Sequence, residues 1–175
     1  MSMLYKLKIG LFTRHYCRKY KIKRTQRLII EGGFKVYNNT EVRLGEFCYI
    51  CKNVTFAGGG LVSIGSHSTI FRDSELHAYI GKGIYIGNDC LIAKEAYIIN
   101  SNHAFKLGEL IRKQLPTAEN IIIGDDVWLG GRVTILKGVN IGDGSIIGAG
   151  SIVNKNIPKN VVAAGVPCKV IKDRA

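Results

Sequence analysis

The chain lacks any run of the roughly 18 apolar residues that a membrane-spanning helix needs. The apolar stretch from Ile9 to Phe12 is too short, and too soon followed by charge, for a secretory leader. A cytoplasmic protein is the expectation. No G-x-x-x-x-G-K-S/T loop occurs, and no strand-to-helix G-x-G-x-x-G, so neither common phosphate cradle is present. The five cysteines show no zinc spacing and one C-x-x-C pair, Cys48 and Cys51. Residues three apart on a strand face opposite ways, so the pair need not converge. Packed, reduced cysteines are expected. Only three prolines and one tryptophan, Trp128, occur. Pro158 and Pro167 fall after the last regular repeat and are expected to end it. The first 30 residues contain no acid at all.

What is present is a beat of six. Ile123, Leu129, Ile135, Ile141, Ile147 and Val153 stand six apart. Glycine follows four of them, as Gly124, Gly130, Gly142 and Gly148. Four residues after each aliphatic come Val127, Val133, Val139, Ser145, Ser151 and Ile157. A helix repeats near 3.6 residues and a plain strand near 2, so neither produces a strict six. Three short strands wound into one coil do, which predicts an all-β, parallel β-helix with about 18 residues per coil. Each hexad places its aliphatic inward and turns a corner at a small residue. The 21 glycines are assigned to those corners, where they supply positive φ.

Upstream the beat slips. Ile80, Ile86, Ile92 and Ile98 form one run, Ile64, Ile70 and Leu76 another, and Leu44, Ile50 and Phe56 a third. Ile30 and Val36 start the coil. The slips require bulged corners near 57–63 and 77–79. The gap from Ile98 to Ile123 requires an extended loop at about 100–120. Long loops on rigid scaffolds commonly carry function. The chain divides into a basic segment, 1–29, of helical character, and a repeat domain, 30–175.

Net charge is +12, and nine of the 25 Lys and Arg lie in residues 1–30. Leu4, Tyr5, Leu7, Leu11, Phe12 and Tyr16 interleave with these charges at helical spacing. Two readings stand. The segment caps the open end of the coil, or it makes peripheral contact with an anionic membrane at the inner face. A nucleic-acid partner is not expected, because no recognisable nucleic-acid module accompanies the basic tract.

The tandem units from Ile123 to Gly131, the stretch Ile147–Pro158 and the tail Ala164–Lys172 resemble the left-handed β-helix, or hexapeptide-repeat, acyltransferases. They are similar to the maltose, galactoside and polysaccharide O-acetyltransferase branch. The left-handed sense comes from this resemblance alone. The resemblance implies acetyl-CoA as co-substrate, a homotrimer, and sites in clefts between neighbouring coils. It places the catalytic histidine at His103, after Ser101 and Asn102 at the root of the loop. It assigns acetyl-CoA contacts to Trp128, Gly131, Ala149, Lys155, Lys169 and Lys172. Lys169 stands where well-known members have arginine, so the bidentate fork toward phosphate is lost there. The basic N-terminus also departs from the maltose and galactoside enzymes.

The chemistry suits these residues. An alcohol is almost never ionised at neutral pH, so acetyl transfer to a hydroxyl needs a base, and imidazole titrates in the right range. Asp73, His77 and Asn102 are candidates for acceptor contact. His67, His77 and His103 lack the spacing of the three-histidine zinc site found in carbonic anhydrases of this fold, so no metal is expected. The expected function is O-acetylation of a sugar or surface-polysaccharide precursor with His103 as general base. Two alternatives remain at this level: N-acetylation of a nucleotide-linked amino sugar, and a non-catalytic β-helical scaffold.

Overall fold

The computed structural model describes residues 3–175, with side chains from residue 7 onward. Leu4, Tyr5 and Lys6 of the basic stretch therefore have side chains outside the described residues. The chain winds a parallel β-helix with three faces. The first face stacks strands 29–30, 49–50, 69–70, 91–92, 128–129, 146–147 and 161–164, closed by the antiparallel strand 169–173. The second stacks 35–36, 55–57, 75–77, 97–99, 134–135 and 152–153. The third stacks 41–44, 61–64, 83–86, 121–123 and 140–141.

The inward column of the first face is Ile30, Ile50, Ile70, Ile92, Leu129, Ile147 and Ala163, all with no solvent exposure. Phe56, Leu76, Ile98, Ile135 and Val153 fill the second face. The fourth-position residues Val127, Val133, Val139, Ser145 and Ser151 are buried beside them. Cys48 and Cys90 are buried in the same way, and all five thiols are free. Burial pushes the Cys90 thiol up to about 11.

Coil length differs from the regular 18. Leu129 and Ile147 are successive rungs 18 residues apart, but Ile50 and Ile70 are 20 apart and Ile70 and Ile92 are 22 apart. The early strands on the third face explain this. They are longer and bury two residues each, such as Val62 with Ile64 and Ile84 with Ile86. The remaining excess is a bulged corner at 78–82. Ile80 lies in that bulge, 69% exposed, so its place in the beat of six is overturned. Pro158 does not end the coil either. The chain continues onto the first face as Val161–Ala164, and Pro167 lies in the turn that reverses the chain into the last strand.

The glycines do the job assigned to them only in part: nine have positive φ, among them Gly33, Gly138, Gly144 and Gly150 at corners of the coil. Thirteen non-glycine residues also have positive φ, among them Asn53, Asp73, Glu95, Asp126 and Arg132 at coil corners. The glycines that follow the inward aliphatics, Gly124, Gly130, Gly142 and Gly148, are required by close approach instead. A Cβ on Gly130 would lie 2.6 Å from the Ala149 nitrogen, and one on Gly142 would lie 2.5 Å from the Lys159 nitrogen.

Helix α1 spans Met3–Lys19 and covers the open end of the first coil. Ile9, Thr13 and Cys17 form its buried stripe. Thr13 Oγ1 accepts the otherwise free Ile30 N–H at 2.9 Å, and Tyr16 Oη accepts that of Gly33 at 2.9 Å. Tyr16 and Tyr20 meet Phe34 edge-on, and Phe34 meets Phe56. Leu7 and Leu11 face away from the coil and are exposed. No helix among the described residues is long and apolar enough to cross a membrane.

Candidate functional site

The loop at 100–120 is an arm with a polar clasp at its base. Ser101–Asn102 pairs antiparallel with Thr117–Ala118. Asn100 is wholly buried at the point where the chain leaves the second face. Its Oδ1 accepts the Tyr79 N–H at 2.7 Å, its own N–H donates to the His77 carbonyl, and its carbonyl accepts the Glu119 N–H at 3.0 Å. Asn120 Oδ1 accepts the Gly83 N–H. One buried asparagine thus ties both ends of the arm to the coil beneath. Further out, Gln114 bridges Lys106 and Glu109. Sequence reasoning missed Asn100. The signal was available: a polar residue stands at an inward strand position two after Ile98, directly before the loop.

His103 stands three residues beyond this clasp, exposed, and its ring has no hydrogen-bond or ion-pair partner among the described residues. Asn102 is exposed beside it. His77 lies on the rung beneath, where it pairs with Ile99, and its Nε2 is 3.2 Å from Glu75 Oε2. Lys155 is exposed on the same second-to-third corner, two coils above.

The other candidates lie elsewhere. Trp128 projects from the first face between Leu91 and Ile146, 51% exposed. Gly131 and Ala149 stack on the corner between the first and second faces. Neither N–H finds an acceptor among the described residues. A Cβ on Gly131 would make ordinary van der Waals contact with Lys94, whose carbonyl oxygen would lie at 3.6 Å, and would clash with nothing. Asp73 is lower on the same corner, and its Oδ1 accepts from Asn53 Nδ2 at 3.0 Å. Lys169 and Lys172 are exposed on the closing strand of the first face. The candidate residues therefore fall into two groups on one chain. Trp128, Gly131, Ala149, Asp73, Lys169 and Lys172 lie on the first face and its corner. His77, Asn102, His103 and Lys155 lie one corner further round, across the second face.

Electrostatics around the first group are mostly basic. Arg132 bonds Glu95 and, with Lys94, holds that carboxyl below the usual carboxylate range. Burial and the nearby Glu31 charge push the Cys51 thiol up to about 11, so it is not a thiolate near neutral pH. No group of three or more His, Cys, Asp and Glu that could hold a metal occurs among the described residues. His67 instead stacks on Phe47 at the third-to-first corner.

Residues 120–155 match the bacterial transferase hexapeptide model of six repeats. The galactoside O-acetyltransferase of Escherichia coli K12 is 39% identical over 130 residues, covering 74% of this chain and 63% of that protein. The lipopolysaccharide biosynthesis O-acetyl transferase WbbJ of the same strain, a putative assignment, is 42% identical over 99 residues, covering 52% of this chain and 50% of that one. The chain thus spans between half and two thirds of the length of these relatives. Among solved structures, a galactoside acetyltransferase in complex with coenzyme A superposes with a TM-score of 0.61 at 30% identity, covering 88% of this chain and 64% of that one.

Proposed function

This chain is a member of the hexapeptide-repeat transferase family, and we propose that it moves an acetyl group from acetyl-CoA to a hydroxyl of a sugar or surface-polysaccharide precursor. The observation that carries the reading is His103, held at the root of a clasped arm with its ring unpartnered. The similarity to a galactoside O-acetyltransferase, and to an acetyltransferase structure holding coenzyme A, supports the donor and the acceptor class.

The acceptor hydroxyl gives its proton to the His103 imidazole as its oxygen attacks the thioester carbonyl carbon. The charge gathers on the carbonyl oxygen. The free N–H groups of Gly131 and Ala149 are the available donors for thioester and pantetheine, and a preorganised donor acts most strongly on a developing oxyanion. The C–S bond then breaks, and the imidazolium returns the proton to the departing thiolate. Trp128 walls the acetyl group. Lys155, Lys169 and Lys172 meet the phosphates of the donor. His77, Asn102 and Asp73 line the acceptor side. His103 and the Gly131–Ala149 corner stand on different corners of one chain, so the working site pairs two chains of a homotrimer. The outward side of α1, with Leu7 and Leu11 among Lys8, Arg14 and Arg18, brings the enzyme to an anionic lipid surface.

Kinetics test the base. His103→Ala is expected to lower kcat by about 10²–10⁴ with little change in acetyl-CoA KM, since a general base acts on the transition state. His77→Ala is the control. The triple Lys155, Lys169 and Lys172→Ala variant should show the reverse pattern, a raised donor KM with weaker salt dependence. Near-wild-type thiol release from both histidine variants, on a verified acceptor, would sink the assignment.

A further inference from the structure

Below Trp128 a groove of about 660 Å³ runs down the first face toward the first-to-second corner. One wall is apolar. Trp128, Leu91 and Phe71 line it, each between two fifths and about half exposed. Leu91 is the direct strand neighbour of Trp128, and the Phe71 N–H bonds the carbonyl one residue past Leu91. The other wall is a column of cations. Lys52, Arg72 and Lys94 occupy the same corner position on three successive coils, directly beneath Gly131 and Ala149.

Adjacent strands lie about 4.8 Å apart, so the backbone positions that carry the three charges span about 10 Å. Like charges in that relation repel. The chain does not cancel them. Lys94 shares the Glu95 carboxylate with Arg132. Lys52 and Arg72 have no carboxylate partner among the described residues. The carboxylate lining the groove, Glu31, is buried and committed. Its oxygens accept the Tyr49 hydroxyl at 2.6 Å and the Lys52 backbone N–H at 3.0 Å. The groove therefore offers flat apolar surface beside a run of positive charge that Glu95 and Glu31 compensate only in part. A guanidinium at the middle of the run presents a fork that fits phosphate oxygens.

We infer that this groove binds the acceptor, and that the acceptor carries a phosphate group: the sugar ring lies against Leu91 and Trp128, and the phosphate sits on Lys52, Arg72 and Lys94. The inference rests on the acetyl-transfer reading and adds the acceptor's charge to it. A neutral acceptor would leave the cation column unmatched. An anionic one relieves its repulsion beside the apolar wall that Trp128 and Leu91 form.

Calorimetry on the full-length protein saturated with coenzyme A tests this without turnover. The probes are glucose and galactose, their 1-phosphates, and inorganic phosphate alone. At least one sugar 1-phosphate should bind tenfold or more tightly than its neutral sugar and than inorganic phosphate. The Lys52→Ala, Arg72→Ala double variant should remove that preference and leave coenzyme A affinity unchanged. Three results overturn the inference: equal binding of neutral and phosphorylated sugars, inorganic phosphate binding as tightly as the sugar phosphate, or loss of coenzyme A affinity in the double variant. The last would assign the column to the donor. Acetyl transfer that persists without a phosphate preference removes this inference and leaves the function standing. Phosphate-dependent binding without thiol release does the opposite.

Discussion

Gly130 shows how a residue reads in sequence against what it does in the coil. Glycine after the inward aliphatic looks like a turn residue with positive φ. In the coil Gly130 is not left-handed, and the restriction is the next coil, whose Ala149 nitrogen would sit 2.6 Å from an added Cβ. The left-handed corner positions are held by other residues, such as Asn53, Asp73, Asp126 and Gly150. Asn and Asp tolerate that conformation better than most L residues do. The position of glycine in the repeat was legible; its reason was not, because neighbouring-coil distance is not written in one hexad. Two substitutions separate the causes. Gly130→Ala should lower stability by about 1–3 kcal/mol, the usual range for overpacking a tight site. Gly10→Ala, in α1 with nothing within 4 Å of the new methyl, should raise it by about 0.5–1 kcal/mol. Urea midpoints measure both. A neutral Gly130→Ala would mean that adjacent coils can part without cost.

At the scale of elements, α1 divides its two sides cleanly. The buried stripe Ile9, Thr13 and Cys17 fixes it to the coil, while Leu7, Leu11, Arg14 and Arg18 face outward. Basic residues at an anionic bilayer contribute about 1 kcal/mol each, and buried leucines add to that. The protein should sediment with phosphatidylcholine vesicles containing phosphatidylglycerol, release in high salt, and ignore pure phosphatidylcholine. Arg14→Gln with Arg18→Gln should cut binding strongly. Equal binding to both vesicle types, or to neither, would leave α1 as a cap alone. The helical character of this segment was legible from its spacing, but the buried stripe was not, since Thr13 and Cys17 do not read as apolar anchors. The coil was legible wherever its corners are short, from Ile123 to Val153. It blurred where the third-face strands lengthen, which is why Ile80 fell into the beat although it sits on a bulge. The arm at 100–120 followed from a broken spacing. Its clasp through Asn100 did not, because a buried hydrogen-bonded asparagine carries no periodic signal.

At the scale of the whole molecule, the candidate site is divided by the geometry of a three-sided prism. The second face separates the His103 corner from the Gly131–Ala149 corner, and winding alone cannot bring them together. The threefold ring proposed above would, because it sets one corner of each chain against a different corner of the next. The arm gives the contact a motive: Phe105, Leu107, Leu110, Ile111 and Leu115 are all exposed along it, a large apolar area for a free surface. Mixing two inactive variants tests the arrangement. His103→Ala removes the base from one corner. Gly131→Phe fills the donor corner, where the new Cβ meets Lys94 only at ordinary contact distance, so the fold should hold. If each site takes His103 from one chain and the Gly131 corner from its neighbour, co-refolded equal mixtures should regain about one quarter of wild-type activity. That fraction follows from random assortment, since half of the chains keep each corner and a site needs one of each in order. Light scattering should show a particle of three 19.3 kDa chains. If both corners served the same chain, every subunit would lack one of them and mixing would restore nothing. An active monomer would lead to the same conclusion, that His103 reaches the donor without a partner.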